Sequence, residues 1–239
     1  MRLDKYLSQA TALPRSHALT IIRAGRVRVG AEVVRNPAHK LDGNAAEIRL
    51  DEKIVKPFQH LLLVLHKPAG FVTTTEEGRG ATVMELIPPD LRHKDLAPIG
   101  RLDKDTTGLL LLTTDGALNH ALTHPKRHIA KVYIADIEDT LLPDAVTRFA
   151  AGVRLADGTL CKPAELQIVS PTRLQIVLHE GRFHQVKRMI LACNATVTQL
   201  HRCQIGQLQL PSDLGTGQAR PLLPEEIALL GVDWRPHGD

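Results

Sequence analysis

Four consecutive leucines, Leu109 to Leu112, follow directly on the charged segment Arg101-Leu102-Asp103-Lys104-Asp105. An apolar run without polar alternation has no face to give to water. Gly108 to Thr113 therefore reads as a buried strand, closed by Asp115-Gly116. Such a strand fixes the charged loop before it to a rigid support, which is where binding and catalytic groups tend to sit.

A second apolar run, Leu61 to Leu65, stops at His66-Lys67-Pro68-Ala69-Gly70, because proline and glycine break a ladder. Residues 76–106 read mostly as loop and short helix. Lys131 to Ile137 alternates as a half-buried strand, Ala164–Val169 and Arg173–Leu178 add two more, and Val197–Leu210 another. Helices are predicted at Ala117–Thr123 (stopped by Pro125), from Pro143 at its start to just before Gly152, from about Arg182 to Cys193, and opening at Pro224. Asp157-Gly158 is a turn signal. Strands linked by short turns, with helices interspersed, favour an α+β fold with a mixed, mainly antiparallel sheet over a regular strand–helix alternation.

The first 56 residues read differently. Leu3, Leu7 and Ala10 recur at helical spacing, Pro14 interrupts, and Ser16 can cap a second helix carrying Ala18, Ile21 and Ile22 that Gly25 ends. Arg26 to Val34 alternates about a turn, as a β-hairpin does. A helix–helix–hairpin unit over 1–56, a linker at 57–59 beginning near Lys56-Pro57, and a larger domain over 60–233 follow. Residues 1–40 hold eight Lys/Arg against two acids, a local excess that suits either a polyanion partner or a solvated basic face.

Composition narrows the class. Hydrophobic residues make up 43% and charged residues 23%, as in ordinary globular proteins. No apolar run is longer than the five residues Leu61 to Leu65, far from the roughly 20 that span a bilayer. Met1-Arg2-Leu3-Asp4-Lys5 lacks the apolar core of a signal peptide, so a cytoplasmic protein without membrane attachment is expected. Cys161, Cys193 and Cys203 suggest neither a disulfide framework nor a zinc site. No heptad or broad apolar stripe calls for self-association, so a monomer is expected.

Several segments could carry chemistry. The loop Gly100 to Leu109 has three readings: a calcium loop, a polar loop closed by salt bridges, and a support for a catalytic carboxylate. Asp103, Asp105 and Gly108 fit the first positions of an EF-hand, but the twelfth is Thr114 rather than glutamate. His120, His124 and His128 are four apart and could hold zinc on one helix, yet Pro125 breaks that helix. His124-Pro125-Lys126-Arg127-His128 reads better as a basic loop facing RNA. Glu180 to Arg188 gathers donors near a helix start, suited to phosphate or to an ordinary basic face. Aromatic residues are 3% of the chain, too few for a sheet that stacks several bases. Tyr133 taken alone reads as a core tyrosine.

Taken together these segments resemble the RsuA-type pseudouridine synthases, which carry an N-terminal S4 RNA-binding domain. The likeness rests on Arg2 to Leu7 and Gly25 to Val29. It continues through Lys67-Pro68, Gly70, Gly100 to Gly108, Lys131-Val132-Tyr133 and Glu180 to Met189. Leu200, Arg202, Gly206 and Arg220-Pro221-Leu222 complete it, so nearly the whole chain is covered in the family's order. The opening Arg2-Leu3-Asp4-Lys5 and the segment Val33-Val34-Arg35-Asn36 look most like the small-subunit rRNA enzyme, with large-subunit 23S rRNA the alternative substrate. The chain departs from the pattern at His66, where asparagine is common, and at Ala219, where an aromatic is usual.

The resemblance implies a reaction and a set of roles. In this family the N1–C1′ bond of a uridine breaks, the base rotates and C5 joins C1′, with no cofactor, metal or energy source. Asp103 would be the essential carboxylate, Lys187 the cation that keeps it ionised, and Tyr133 the residue that stacks on the base and assists removal of the C5 proton. Leu178 would pack beside the base, and Arg101, Arg182, His184 and Arg188 would contact substrate. Arg2, Lys5, Arg15, Arg26 and Arg28 would meet RNA phosphates. The expected partner is rRNA within a small-subunit assembly particle. Two rivals remain: an S4 RNA-binding protein without catalysis, and a glycoside hydrolase pairing Asp103 with Asp105, which extended backbone would aim at opposite faces and a loop would bring closer.

Overall fold

A computed structural model of the protein describes residues 1–11, 13–41, 47–56, 59–76, 78, 80–124 and 127–236. Two compact units emerge, Met1–His60 with Arg235–Asp239, and Leu61–Trp234. The expected linker falls at 57 and 58 outside the described residues.

The first unit contains α1 (Leu3–Thr11), α2 (Arg15–Arg23), β1 (Val27–Val29), β2 (Glu32–Val33), β3 (Ile48–Leu50) and β4 (Lys53–Ile54). Its strands form an antiparallel sheet in the order β2-β1-β3-β4. Leu3, Leu7, Ala18, Ile22, Val27 and Ile48 form its core. Ser16 does not cap α2: the N-cap is Pro14, with no side-chain bond, and the helix begins at Arg15. Proline's fixed φ suits that entry. Gly25, at φ +75°, ends α2 as predicted. Its N–H donates to the Ile22 carbonyl and the Arg26 N–H to that of Ile21, which satisfies two terminal acceptors. Strands β3 and β4 are three and two residues long, too short to show alternation.

The second unit is one mixed sheet with helices on both faces. Its strands are β5 (Leu62–Lys67), β6 (Ala97–Ile99), β7 (Thr107–Thr113), β8 (Lys131–Glu138), β9 (Glu165–Ser170), β10 (Arg173–Leu178), β11 (Thr196–Ile205), β12 (Leu208–Gln209) and β13 (Ala219–Pro221). Its helices are α3 (Gly116–Thr123), α4 (Ala145–Ala151), α5 (Gln185–Leu191) and α6 (Pro224–Ala228). The main order is β13-β5-β7-β11-β8-β10-β9, with β6 beside β7 and β12 beside β11. Among the strands of the described residues, only the pair β7 and β11 runs parallel.

The two apolar runs occupy the centre of that sheet, and their alternate residues feed different cores. Leu63, Leu65, Leu110 and Leu112 join one cluster with Phe149 and Met189. Leu62, Val64, Leu109 and Leu111 join another with Leu118 and Leu230. This two-sided burial is why neither run alternates. Three boundaries differ from the sequence reading. Val197–Leu210 is not one strand, because a turn at Gly206 (φ +59°) folds β12 back on β11. Pro143 lies outside α4, whose N-cap is Asp144. The basic helix starts at Gln185 rather than Arg182, because His184 takes a left-handed backbone (φ +48°) that a helix cannot include. Among the described residues no helix is long and apolar enough to cross a membrane.

Candidate active site

The loop between β6 and β7 carries Asp103. Lys67, the last residue of β5, is fully buried, and its Nζ donates to four carbonyls: Thr106 at 2.9 Å, Pro68 at 3.0 Å, Asp103 at 3.1 Å and Lys104 at 3.2 Å. Burial pulls its pKa down to about 8, against the attraction of the Asp105 and Asp103 carboxylates. Thr73 clasps the other side of the loop, donating through Oγ1 to the Leu102 carbonyl at 2.7 Å and accepting from the Leu102 N–H at 3.2 Å. The Gly70 N–H adds a bond to the Lys104 carbonyl at 2.8 Å. The loop is thus tied down through its backbone, which leaves the Asp103 carboxylate free to face outward.

That carboxylate is a quarter exposed. Lys187 Nζ from α5 lies 3.5 Å from its Oδ2, and His184 Nε2 lies 3.5 Å from its Oδ1. Lys187 sits nearer to Asp105, at 2.5 Å, and its hydrogen bond is the main reason the Asp105 carboxyl titrates below the usual range. Asp103 and Asp105 therefore share one cation instead of pointing to opposite faces. Thr107 is the first residue of β7, so the loop turns before extended backbone begins.

Asp103 lines a cavity of about 320 Å³ together with Arg101, Tyr133, Leu178, Arg182 and His184. Tyr133 and Leu178 are both buried, on β8 and at the end of β10, and strand pairing sets them on one face of the sheet. Arg182 donates through Nε to Glu180 at 3.2 Å. The buried Glu180 also accepts from Gln185 Nε2 at 2.7 Å and from the Lys162 N–H at 2.9 Å, which anchors the turn into α5. Arg188 departs from the expected set. It does not line the cavity, and its Nη2 meets Asp157 at 2.5 Å.

Three further cations were not given roles by sequence reasoning, although each lies in a quoted motif. Besides Lys67 they are Lys131 and Arg202, and both of these line the cavity. Arg202 is 2% exposed and lies opposite Tyr133. Its Nε donates to the Leu109 carbonyl at 2.8 Å, while its buried Nη2 has no protein partner. Lys131 donates to the Ile129 carbonyl at 3.1 Å, and burial, reinforced by the Arg202 charge, lowers its pKa to about 8. Gly108 fixes how close β7 comes to β11: a Cβ there would stand 2.2 Å from the Arg202 carbonyl oxygen.

The metal readings find no support. Among the described residues no three His, Cys, Asp or Glu side chains converge to hold an ion. His124 lines the cavity with its ring centroid 4.9 Å from that of His120, but Pro125 and Lys126 of the expected basic loop lie outside the described residues. In the first unit, Arg2 and Arg15 both clasp the buried Asp4 at 2.9 Å. Arg26 pairs with Asp51 and Arg28 with Glu52. Lys5 is exposed. These two acids lie outside residues 1–40 and offset part of the charge excess counted there.

The sequence pattern of the RNA pseudouridylate synthases matches residues 61–192, and that of the S4 domain matches residues 1–46. The chain belongs to the RNA pseudouridylate synthase family. It is 40% identical over 242 residues to ribosomal small subunit pseudouridine synthase A of Yersinia pestis, an alignment covering 99% of this chain and all of that protein. The protein of the same name from Escherichia coli (strain K12) is 39% identical over 237 residues, covering 95% of this chain and 99% of its own length. A crystal structure of a pseudouridylate synthase superposes with a TM-score of 0.68 at 34% identity, covering 96% of this chain and 99% of that one. The S4 unit followed by a mixed-sheet catalytic unit is thus the architecture of this pseudouridine synthase.

Proposed function

We propose that the enzyme isomerises a uridine of small-subunit rRNA to pseudouridine with Asp103 as the reacting carboxylate. The observation that carries this reading is the placement of Asp103: a carboxylate presented at a cavity, on a backbone-clamped loop, with the Lys187 ammonium 3.5 Å away. The names of the relatives, both small-subunit enzymes, support the choice of RNA. In this reading the S4 unit ends at residue 56, residues 57–59 link, and the catalytic unit runs over 60–233.

The chemistry divides among the residues as follows. The target uridine leaves its helix stack and enters the cavity. Tyr133 stacks on the base and Leu178 packs beside it. The N1–C1′ bond breaks with its electron pair leaving on the uracil, and Asp103 compensates the electron-deficient partner. The base turns, C5 bonds to C1′, the C5 proton departs with the help of the Tyr133 hydroxyl, and N1 takes up a proton, so the product is an isomer of the substrate. The Lys187 ammonium, 3.5 Å away, balances the charge of the Asp103 carboxylate and holds it toward the reacting atoms. Arg101, Arg182 and His184 hold neighbouring phosphates, and Arg188 joins them by exchanging Asp157 for phosphate. Arg2, Lys5, Arg15, Arg26 and Arg28 grip RNA at the S4 unit by the same exchange. The substrate is a small-subunit assembly particle, and the enzyme acts as a cytoplasmic monomer.

The test is tritium release from small-subunit and from large-subunit rRNA, each labelled at uridine C5. Wild type releases tritium from small-subunit RNA or its assembly particle, and Asp103→Asn lowers the rate by on the order of 10³-fold or more. Release from large-subunit RNA alone would overturn the substrate, and an active Asp103→Asn protein would overturn the role of the carboxylate.

A further inference from the structure

We propose that Phe183 is a stacking plate for the base that neighbours the target uridine in the RNA, an inference that rests on reading the cavity as the uridine site. The chain has only seven Phe, Tyr and Trp residues, and the large ones are normally buried. Phe183 is 65% exposed, the only exposed aromatic side chain among the described residues. It also lines the mouth of the cavity that holds Asp103.

Its placement is fixed rather than incidental. One face of the ring stacks on the His184 imidazole, with centroids 3.7 Å apart and planes 18° from parallel. The exposure of the residue leaves the other face to solvent. His184 in turn reaches to 3.5 Å from Asp103, and its left-handed backbone (φ +48°) sets the two rings side by side just before α5. Arg188 Nη1 donates to the Phe183 carbonyl at 3.5 Å and is itself held by Asp157. The plate is therefore tied to the reacting carboxylate through one residue.

The chemistry that fits such a plate is the π face of a nucleobase. A uridine drawn out of its stack leaves an adjacent base with one face bare. An aromatic ring at the cavity mouth replaces the lost partner, and it does so for any base, because every base has a π face. Arg101 and Arg182 line the same cavity and suit the phosphates on either side of that nucleotide.

The experiment compares Phe183→Ala, Phe183→Leu and Phe183→Trp with wild type in the tritium-release assay on small-subunit rRNA. A second readout is indole fluorescence of Phe183→Trp in a Trp234→Phe background as the same RNA is added. Stacking predicts that Ala and Leu both raise KM about tenfold with kcat changed less than about twofold, that Trp preserves KM, and that the introduced indole is quenched. A Leu variant with wild-type KM, or an indole that stays unquenched in the bound complex, would overturn the proposal. A wild-type protein that releases no tritium would overturn the reading of the cavity instead, and the indole signal would then decide the stacking by itself.

Discussion

The two units use positive charge in opposite ways. In the S4 unit the arginines sit at the surface and lean on acids: Arg26 and Arg28 are each about half exposed, on Asp51 and Glu52. In the catalytic unit Lys67 is fully buried and Arg202 nearly so, and both donate to backbone carbonyls. A surface pair is worth little and is easily exchanged for phosphate. A buried cation is costly to place and costly to remove, because its acceptors cannot turn to water. The first arrangement suits a surface that must grip and release a polyanion. The second suits a site in which one carboxylate must not move.

The largest expected effect follows from that contrast. Lys67→Met would leave three carbonyls of the Asp103 loop, and that of Pro68, without their donor, and nothing else in the clamp replaces a cation at their centre. Relief of the buried charge offsets part of the loss, but the loop would relax. A shift of about 1 Å in a reacting group costs on the order of 10²-fold in rate. Lys67→Met should therefore lower kcat by about that factor and lower stability by about 3 kcal/mol. Urea unfolding and tritium release measure the two. A variant with wild-type kcat would show that Thr73 and Gly70 hold the loop unaided.

Lys131 sharpens the comparison at an intermediate scale. Burial and the neighbouring Arg202 charge lower its pKa from 10.5 to about 8. Between those values the unfolded chain keeps a proton that the folded chain has released, so raising the pH favours folding. The penalty is complete below pH 8 and fades as the pH rises to 10.5. Lys131→Met removes the titration. Relative to that variant, wild type should gain up to about 3 kcal/mol of stability across the window. Parallel unfolding curves from pH 7 to 10.5 check this, and equal slopes would place the ammonium in water.

What could be read from sequence divides along the same line. The central strands were legible because Leu61 to Leu65 and Leu109 to Leu112 admit no other burial. Gly25 was legible as a helix end, and the Asp103 loop as a functional support. The clamp on that loop was not, because Lys67 meets Asp103, Lys104 and Thr106 from 36, 37 and 39 residues away. Lys187 was legible as a cation for Asp103 only through resemblance, and its closer contact with Asp105, 82 residues away in sequence, emerges only in the fold. The late start of α5 followed from a left-handed His184, a conformation that histidine adopts more readily than most residues but still too rarely to be read from sequence. Strand β13 is three residues containing a proline, a pattern that reads as loop until β5 is seen beside it.

The smallest expected effect tests the surface half of the comparison. Arg26→Ala with Arg28→Ala removes two exposed cations whose acids, Asp51 and Glu52, are also exposed. Losing such solvent-screened pairs should leave folding stability nearly unchanged. If both arginines exchange these acids for phosphate, the slope of log K against log salt should become shallower by about two, with kcat unchanged and KM raised at physiological salt. Filter binding of small-subunit rRNA across a salt series measures the slope. The paired acids make a further demand: Asp51→Asn with Glu52→Gln should tighten RNA binding, because phosphate then has no competitor for the arginines. A double arginine variant with the wild-type slope would mean that these arginines only hold the hairpin to the neighbouring turn. The grip on RNA would then belong to Lys5 and to the cations that surround the Asp103 cavity.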